Sequence, residues 1–361
     1  MPHHRFSRIA PPVLLVAIAT ACVGFAPGTK ARAAALNPTT DQTLLEPPGS
    51  PGAPVPVKVG LYITNLGDID EVRERVELDG YLIVSWKDPR LAAAPAASNG
   101  TNYWQRYREG QIWMPSLELA NAVTRRERLS FSILANAQGS VRYVEHFDAQ
   151  VSSDFLLRQF PFDKQNLQII VQPFLTDRTQ LELSVDLGSS GVGGDTWVEL
   201  PEWKILGLAA TAETLKIRNV VGDIPQIRFD LKVRRRLAFY LWKVFLPILI
   251  MVLVSWCVFW IELSQFDWQA KIVVTTMLTL IAFSFAIERN LPRIGYLTFF
   301  DGVFLTSFVF IFLAMIEITL IHVLHLRKRE SAAAAIHSAS RWVFPLVYFA
   351  TIALMVAIFL M

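Results

Sequence analysis

The chain has 361 residues, 53% of them hydrophobic and 18% charged, and a formal net charge of +3. Apolarity this high in a chain of ordinary charge must be concentrated in particular segments, and here it lies towards the two ends. The near-neutral charge, without a basic stripe that carries interleaved aromatic residues, argues against a nucleic-acid partner.

Residues 1–33 have the layout of a secretory signal peptide. Arg5 and Arg8 precede an apolar run at 9–26, and the small-x-small tripeptide at 31–33 suits a signal peptidase. An uncleaved membrane anchor is the alternative, but the prolines and glycine of this run suit a spanning helix poorly. In both cases the chain that follows begins outside the cytoplasm.

Residues 34–56 are rich in Pro, Gly and Thr, and this composition predicts a disordered leader. Removal of the signal would leave Cys257 as the sole cysteine. We therefore expect no intrachain disulfide, although the protein is exported.

Residues 57–236 contain short stretches in which apolar and polar residues alternate. The clearest are 57–63, 78–86, 141–147 and 227–233. This period of two predicts antiparallel strands with one wet face, and about ten of them fit one immunoglobulin-like β-sandwich. A short helix is expected within 102–108. No GxGxxG, P-loop, GxSxG or clustered Cys/His motif is present, so we expect no cofactor, no metal and no enzyme activity.

Four later stretches are each close to the roughly 20 apolar residues that cross a bilayer. They lie at 237–261, 268–287, 296–323 and 342–361. An exported amino terminus and four spans place the carboxyl terminus outside as well. The link between the third and fourth spans is then cytoplasmic, and its basic residues agree with the positive-inside rule. These residues are Arg327, Lys328, Arg329 and Arg341. We expect a multi-pass protein of the plasma (inner) membrane, embedded in lipid, with an all-α transmembrane bundle.

The second span has polar residues on one helical face. Counting at spacings of four and three, this face contains Lys271, Thr275, Leu278, Ala282 and Phe285. Polar residues within a span usually face protein or water. The alternative is a helix buried by the other spans, with its threonines bonded to their own backbone. Charged residues at both ends, Asp267 and Lys271 inside and Glu288 and Arg289 outside, favour a pore, which several copies must enclose.

Four motifs resemble those of the pentameric ligand-gated ion channels, also called Cys-loop receptors. They are WKDPRL at 86–91, IWMP at 112–115 with Asn121, FPFD at 160–163, and RRR at 234–236 with Tyr240 and Pro247. Ser153 and Leu167 stand where animal members have the two loop cysteines, so the resemblance is to prokaryotic members. It is greatest to proton-gated bacterial ones, through Ser85–Asp88, the stretch at 288–292 and the stretch at 339–341.

The resemblance implies a homopentamer with an extracellular ligand-binding domain and a pore for small monovalent ions. It places Glu71 on the loop after the first strand, Asp163 and Pro161 in the FPFD turn, and Arg235 before the first span, as coupling residues. A static interface salt bridge is the alternative. Pro292 and Tyr296, after the second span, would receive the motion, or form a plain rigid turn.

By the same resemblance Leu278, Ala282 and Phe285 would form an apolar gate, unless they only pack neighbouring helices. A ring of Asp267 carboxylates would favour cations. Lys271 contradicts this unless it pairs with Asp267 at i,i+4, so an anion-selective channel is the rival. A non-conducting, membrane-anchored periplasmic sensor is the alternative from another class.

The agonist site that the resemblance implies is incomplete. Tyr81 and Phe174 stand at aromatic positions, but Ala120 replaces a tyrosine and 206–226 contains no aromatic residue. A cage for an amine is therefore not expected. Protons are the favoured agonist over another small molecule, with Glu74 in an acidic run as their sensor or, alternatively, part of a solvated loop. His146 is expected to be an exposed strand residue.

Overall fold

The computed structural model describes residues 42–50, 52–92, 104–174, 176–193, 202–216, 222–288 and 295–360, without the side chains of 42, 288 and 360. The predicted signal peptide lies outside these residues, as does Pro292. Residues 42–50 were predicted to belong to a disordered leader, but they are hydrogen-bonded to the β-domain. The Leu44 carbonyl accepts a 2.7 Å bond from the Trp113 N–H, and the Glu46 carbonyl accepts a 2.9 Å bond from Arg90. These backbone bonds hold the segment against the sandwich.

Eleven strands occur within the described residues. They are β1 (Val55–Asp70), β2 (Arg75–Lys87), β3 (Trp104–Tyr107), β4 (Leu117–Leu119), β5 (Glu127–Asn136), β6 (Ser140–Ser152), β7 (Lys164–Pro173), β8 (Leu181–Val185), β9 (Gly191–Val192), β10 (Trp203–Lys216) and β11 (Asp223–Arg235). The four alternating stretches fall in β1, β2, β6 and β11. The short helix expected within 102–108 is wrong, because the described part of that range pairs with β5 as strand β3.

Two sheets form the predicted sandwich. One has the order β3-β5-β6-β2-β1-β8, with β9 also paired to β1, and the other has the order β10-β11-β7-β4. Their alternating apolar side chains meet between them, and those of Leu61, Phe147, Ile169 and Phe229 are at most 1% exposed. Burial of such side chains contributes roughly 1.5–3 kcal/mol each. The all-β prediction for this half of the chain is confirmed.

The first two sequence motifs explain part of this packing. Asp88 is fully buried, and its carboxylate accepts 2.8 Å bonds from Nε and Nη2 of Arg90. Trp86 of the same motif meets Trp113 of the IWMP motif edge to face, with ring centroids 5.8 Å apart. The two motifs therefore stabilise the sandwich, one through a buried carboxylate bonded to Arg90 and both through the contact of their tryptophans.

Four helices follow, each long and apolar enough to cross a membrane: α1 (Ala238–Trp260), α2 (Phe266–Glu288), α3 (Phe299–Leu326) and α4 (Glu330–Leu360). The predicted four-helix bundle is confirmed. Helix α4 begins well before the predicted fourth span, so that the link to α3 shrinks to 327–329. The Ala-rich run after Glu330 explains the difference, because alanine is the strongest helix former.

Two prolines shape the bundle. Pro247 cannot donate to the carbonyl one turn earlier, and α1 widens into a π-helix at Leu241–Phe245 just before it. Pro345 lies inside α4 and leaves the Arg341 carbonyl without its helical donor. The Trp256 indole N–H of α1 donates to that carbonyl at 3.0 Å. The bond satisfies a buried acceptor and joins α1 to α4.

Candidate coupling and pore sites

Arg235 ends β11, immediately before the first membrane helix, and its side chain is completely buried. Its Nε atom lies 2.9 Å from Oδ1 of Asp163, and Nη2 lies 3.2 Å from Oδ2. Its Nη1 atom lies 2.8 Å from Oε1 of Glu71, in the turn between β1 and β2. The structure thus brings together the three predicted coupling residues. The bidentate pairing uses the planar fork of the guanidinium, which lysine lacks.

Aromatic rings surround this buried charge. The guanidinium carbon lies 4.1 Å from the ring centroid of Trp203 and 4.7 Å from that of Phe160. Nη1 also donates to the Tyr240 hydroxyl at 3.2 Å. The rings keep water from the guanidinium, so its ion pairs act in a medium of low polarity where charges interact strongly.

Titration of the site follows from this burial. Burial lowers the pKa of Arg235, but the bond and charge of Asp163 and the charge of Glu71 outweigh it, and the net shift is upward. The guanidinium therefore stays charged. Burial raises the pKa of Glu71, although the Arg235 charge opposes the rise. Glu71 thus takes up a proton at a higher pH than an exposed glutamate, and acidification weakens its contact with Arg235.

The FPFD turn inserts two rings into the top of the bundle. Phe160 packs edge to face on Tyr240 of α1 and on Phe300 of α3, with centroids 5.0 and 5.7 Å apart. Phe162 packs in the same way on Phe299, at 5.4 Å. The peptide between Phe160 and Pro161 is cis. Pro161 lies between the two phenylalanines whose rings join the sandwich to α1 and α3.

The loop before this turn is also bonded to the segment before α3. The Leu157 N–H donates to the Tyr296 hydroxyl at 3.1 Å, and the Phe299 N–H donates to the Arg158 carbonyl at 3.0 Å. Tyr296 is thus in place to receive a movement of the loop. Pro292, its predicted companion, lies outside the described residues.

Tyr296→Phe removes only the hydroxyl that accepts the Leu157 N–H. We expect the contact between the loop and the bundle to be weakened by about 0.5–1.5 kcal/mol, the usual net contribution of one hydrogen bond to stability. The midpoint of agonist activation should shift to stronger stimulus, with unchanged assembly by size exclusion. Tyr62→Phe, at an exposed tyrosine of β1, is the matched control. An activation curve equal to that of the control would remove this bond from coupling.

Ser153 and Leu167 occupy the places of the missing loop cysteines. The Ser153 hydroxyl accepts a bond from the Gln168 N–H at 3.1 Å and donates to the Asn166 carbonyl at 3.5 Å. Leu167 is fully buried in the core. Hydrogen bonds and apolar packing close the loop here in place of a covalent bridge.

Helix α2 presents the predicted face away from the rest of its own subunit. Lys271, Thr275, Leu278, Ala282 and Phe285 are all exposed, and Leu278 and Phe285 expose 61% and 62% of their surface. The opposite face is packed, with Val273 and Leu280 fully buried. The hydroxyls of Thr276, Thr279 and Ser284 bond to carbonyls of their own helix, as the buried-helix alternative proposed. That alternative does not describe the predicted face, which remains exposed among the helices that the structure describes.

The charged ends of α2 differ from the expected pairing. Asp267 and Lys271 are both exposed. The Lys271 ammonium lies 5.1 Å from the ring centroid of Trp268, and within the described residues it forms no salt bridge with Asp267. A cation–π contact with the neighbouring ring has replaced the i,i+4 ion pair. Glu288 is the last residue of α2, and only its backbone is described.

The three predicted sensing residues do not meet within one subunit. Tyr81 lies on β2 of the larger sheet, whereas Phe174 follows β7 of the smaller one and is 58% exposed. Glu74 is exposed in the turn after Glu71, at a positive φ of 55°, and its carbonyl accepts from the Ser153 N–H. This φ is uncommon for a residue other than glycine or asparagine.

His146 is a strand residue of β6, as expected, but its side chain is only 28% exposed and has a partner. Its Nε2 atom lies 3.1 Å from Oδ2 of Asp79, and its ring stacks on that of Tyr81. Sequence reasoning missed the contact because it depends on the register between β2 and β6. The outward alternation of both strands was visible, but not which residues stand opposite one another.

Comparison with known proteins agrees with this geometry. Residues 40–237 match the model of the neurotransmitter-gated ion-channel ligand binding domain, and residues 244–344 match that of the transmembrane region. The chain belongs to the neurotransmitter-gated ion-channel family. A proton-gated ion channel of Gloeobacter violaceus is 30% identical over 302 residues, which cover 84% of this chain and 82% of that protein.

Membership confirms the predicted resemblance and explains the order of the two folded parts. The protein is a ligand-gated ion-channel subunit and not an enzyme. It is a multi-pass membrane protein, with four spanning helices after an extracellular-type β-domain.

Proposed function

We propose that five copies of this subunit surround a pore lined by α2, which passes small monovalent cations when external protons open it. The observation that supports this most directly is the exposed face of α2 with Thr275 and Leu278 at its centre. One helix cannot enclose water. The same face repeated around an axis forms a closed channel with a polar ring of Thr275 and an apolar ring of Leu278.

In this proposal the buried triad transmits the opening movement. Protonation outside compacts the contacts between sandwiches, weakens the contact of Glu71 with Arg235 and displaces the turn that carries Glu71. Arg235 transfers the displacement to α1, while the FPFD turn and Tyr296 transfer it to the segment before α3. Helix α2 then tilts, and the apolar constriction of Leu278, Ala282 and Phe285 becomes wet.

Cation selectivity follows from the charges of the pore helix. Each subunit brings one carboxylate to each mouth, Asp267 inside and Glu288 outside, with Lys271 one turn above Asp267 and Arg289 directly after Glu288. In this proposal the exposed Asp267 ring at the inner mouth attracts cations into the pore. An anion channel is the second candidate, because Lys271 is exposed and is not neutralised by Asp267.

Protons are the proposed agonist for three reasons. An aromatic cage around an amine is incomplete, because the stretch 206–226 adds no aromatic residue to Tyr81 and Phe174. The turn between β1 and β2 carries the carboxylates Glu71 and Glu74, and burial already raises the pKa of Glu71. The similarity to a proton-gated channel points in the same direction.

One experiment tests agonist and ion sign together. Purified protein in planar bilayers is exposed to acid steps under a tenfold KCl gradient. A cation-selective pore should reverse near the potassium potential, about 59 mV from zero, and an anion-selective one near the same value with opposite sign. Asp267→Asn should reduce cation selectivity and Lys271→Gln should increase it. Silence at every pH, or a monomer in solution, would contradict the proposal.

A further inference from the structure

A second group of polar side chains meets on the outward face of the seven-stranded sheet. His146 of β6 stands directly opposite Tyr81 of β2, and the two rings stack with centroids 4.7 Å and planes 19° apart. Nε2 of His146 lies 3.1 Å from Oδ2 and 3.3 Å from Oδ1 of Asp79, the next outward residue of β2. A ring and a carboxylate therefore hold the imidazole in one orientation.

Asp79 is itself fixed from the other side. The Thr64 hydroxyl donates to the Asp79 side chain and, at 3.1 Å, lies within bonding distance of its backbone carbonyl. Thr64 lies where the pairing of β1 and β2 shifts register. Asp79 therefore joins the β1–β2 hairpin to β6, and the turn of that same hairpin carries Glu71 to Arg235.

The charged groups nearest His146 on this face are acidic. Glu77 is the preceding outward residue of β2, Asp148 is the following one of β6, and Glu127 of β5 is paired with Asp148. Burial and the neighbouring negative charges raise the pKa of Asp148. Within the described residues none of Glu77, Asp148 and Glu127 forms a salt bridge.

The remaining neighbours do not supply a competing positive charge. Ser130 of β5 stands opposite His146. Arg142 lies further along β6, with its guanidinium carbon 5.7 Å from the ring centroid of Trp104, and Arg75 lies at the start of β2. Among the described residues of β2, β5 and β6, the imidazole therefore stands closest to acidic side chains, those of Asp79, Glu77, Asp148 and Glu127.

We propose that His146 is a proton-binding site of this channel, with Asp79 as its counter-ion, and this rests on the proposed proton gating. A histidine side chain changes charge between pH 5 and 8. The neutral ring can donate one hydrogen bond to the Asp79 carboxylate, and protonation adds a positive charge that turns this bond into an ion pair. Acidification thereby fastens the β1–β2 hairpin to β6 and favours the arrangement that opens the pore.

The test compares substitutions that remove or imitate the charge. His146→Gln should shift the midpoint of acid activation to lower pH by at least about 0.5 unit and lower its steepness, because one coupled proton per subunit is lost. His146→Arg, with a permanent charge, should shift the midpoint towards neutral pH. Asp79→Asn should resemble His146→Gln, and the double variant should add little. His325→Gln is the matched control.

Equal shifts of the same sign for His146→Gln and His146→Arg would overturn the proposal, as would additive effects with Asp79→Asn. A wild type without acid-activated current would refute the proposed function separately. The proton site is then decided by the thermal midpoint of the purified protein at about pH 8 and about pH 5.5. Wild type should gain stability over His146→Gln on acidification, and Asp79→Asn should abolish the gain. No gain would refute the site.

Discussion

Arg235→Ala is expected to abolish acid-activated current while pentamers still assemble. The guanidinium is completely buried between Asp163 and Glu71, which expose 1% and 12% of their side chains. Removing one member of a buried ion pair typically costs about 3–5 kcal/mol, because the remaining charges lose their partner. Here that loss falls on the contact between sandwich and bundle. Single-channel recording measures the current, and size exclusion measures assembly.

Two controls separate coupling from assembly. Arg234→Ala removes the same side chain at an exposed neighbour on β11 and should gate normally. The triple variant Arg235→Met, Asp163→Asn and Glu71→Gln leaves no charge among these three buried positions, so it should fold well. A static salt bridge predicts normal gating of the triple variant, whereas coupling through the charges predicts silence. Normal currents from Arg235→Ala itself would refute the role of the triad.

Leu278→Ser is expected to give channels that conduct without acid. Leu278 is 61% exposed on the face of α2 that we propose to line the pore, where five copies would form an apolar ring. Replacing leucine by serine forfeits part of the roughly 1.5–3 kcal/mol that full burial of a leucine side chain contributes, and the serine hydroxyl holds water in its place. Since every 1.4 kcal/mol is about tenfold in an equilibrium, five substitutions should raise the standing current at least tenfold.

Leu278→Met is the control for this change, because it keeps the side chain apolar and near the same volume. Its standing current at neutral pH should equal that of wild type. Leu305→Ser, on an exposed position of α3, tests whether any serine within a membrane helix causes leakage. A closed state as tight in Leu278→Ser as in wild type would place the gate at another level of α2.

Local patterns were enough to predict most of the fold. Strands β1 and β6 alternate apolar and polar residues along their length, and the four spans exceed the length that a bilayer requires. The alternation reflects which side chains of a strand face the core, and the length reflects how many residues of a helix face lipid. Both signals can be read from a single segment. The order of the motifs then identified the family, and with it the meeting of Glu71, Asp163 and Arg235.

Side-chain partners across elements could not be predicted in the same way. The i,i+4 spacing of Asp267 and Lys271 allowed an ion pair, but the ammonium lies over Trp268 instead. His146 seemed an isolated strand residue until the register of β6 against β2 placed it beside Asp79. The Arg341 carbonyl is satisfied by Trp256, which is distant in sequence.

The amino-acid sequence by itself determined the exported β-domain, the four membrane helices and the face of α2 that bears Thr275 and Leu278. Periodicity and length decide these features, and both are local. Only the tertiary structure decided that Lys271 lies over Trp268 and not beside Asp267, that Trp256 bonds to the Arg341 carbonyl and that His146 has a counter-ion. The last two depend on the register and packing of segments far apart in the chain, which no local pattern specifies.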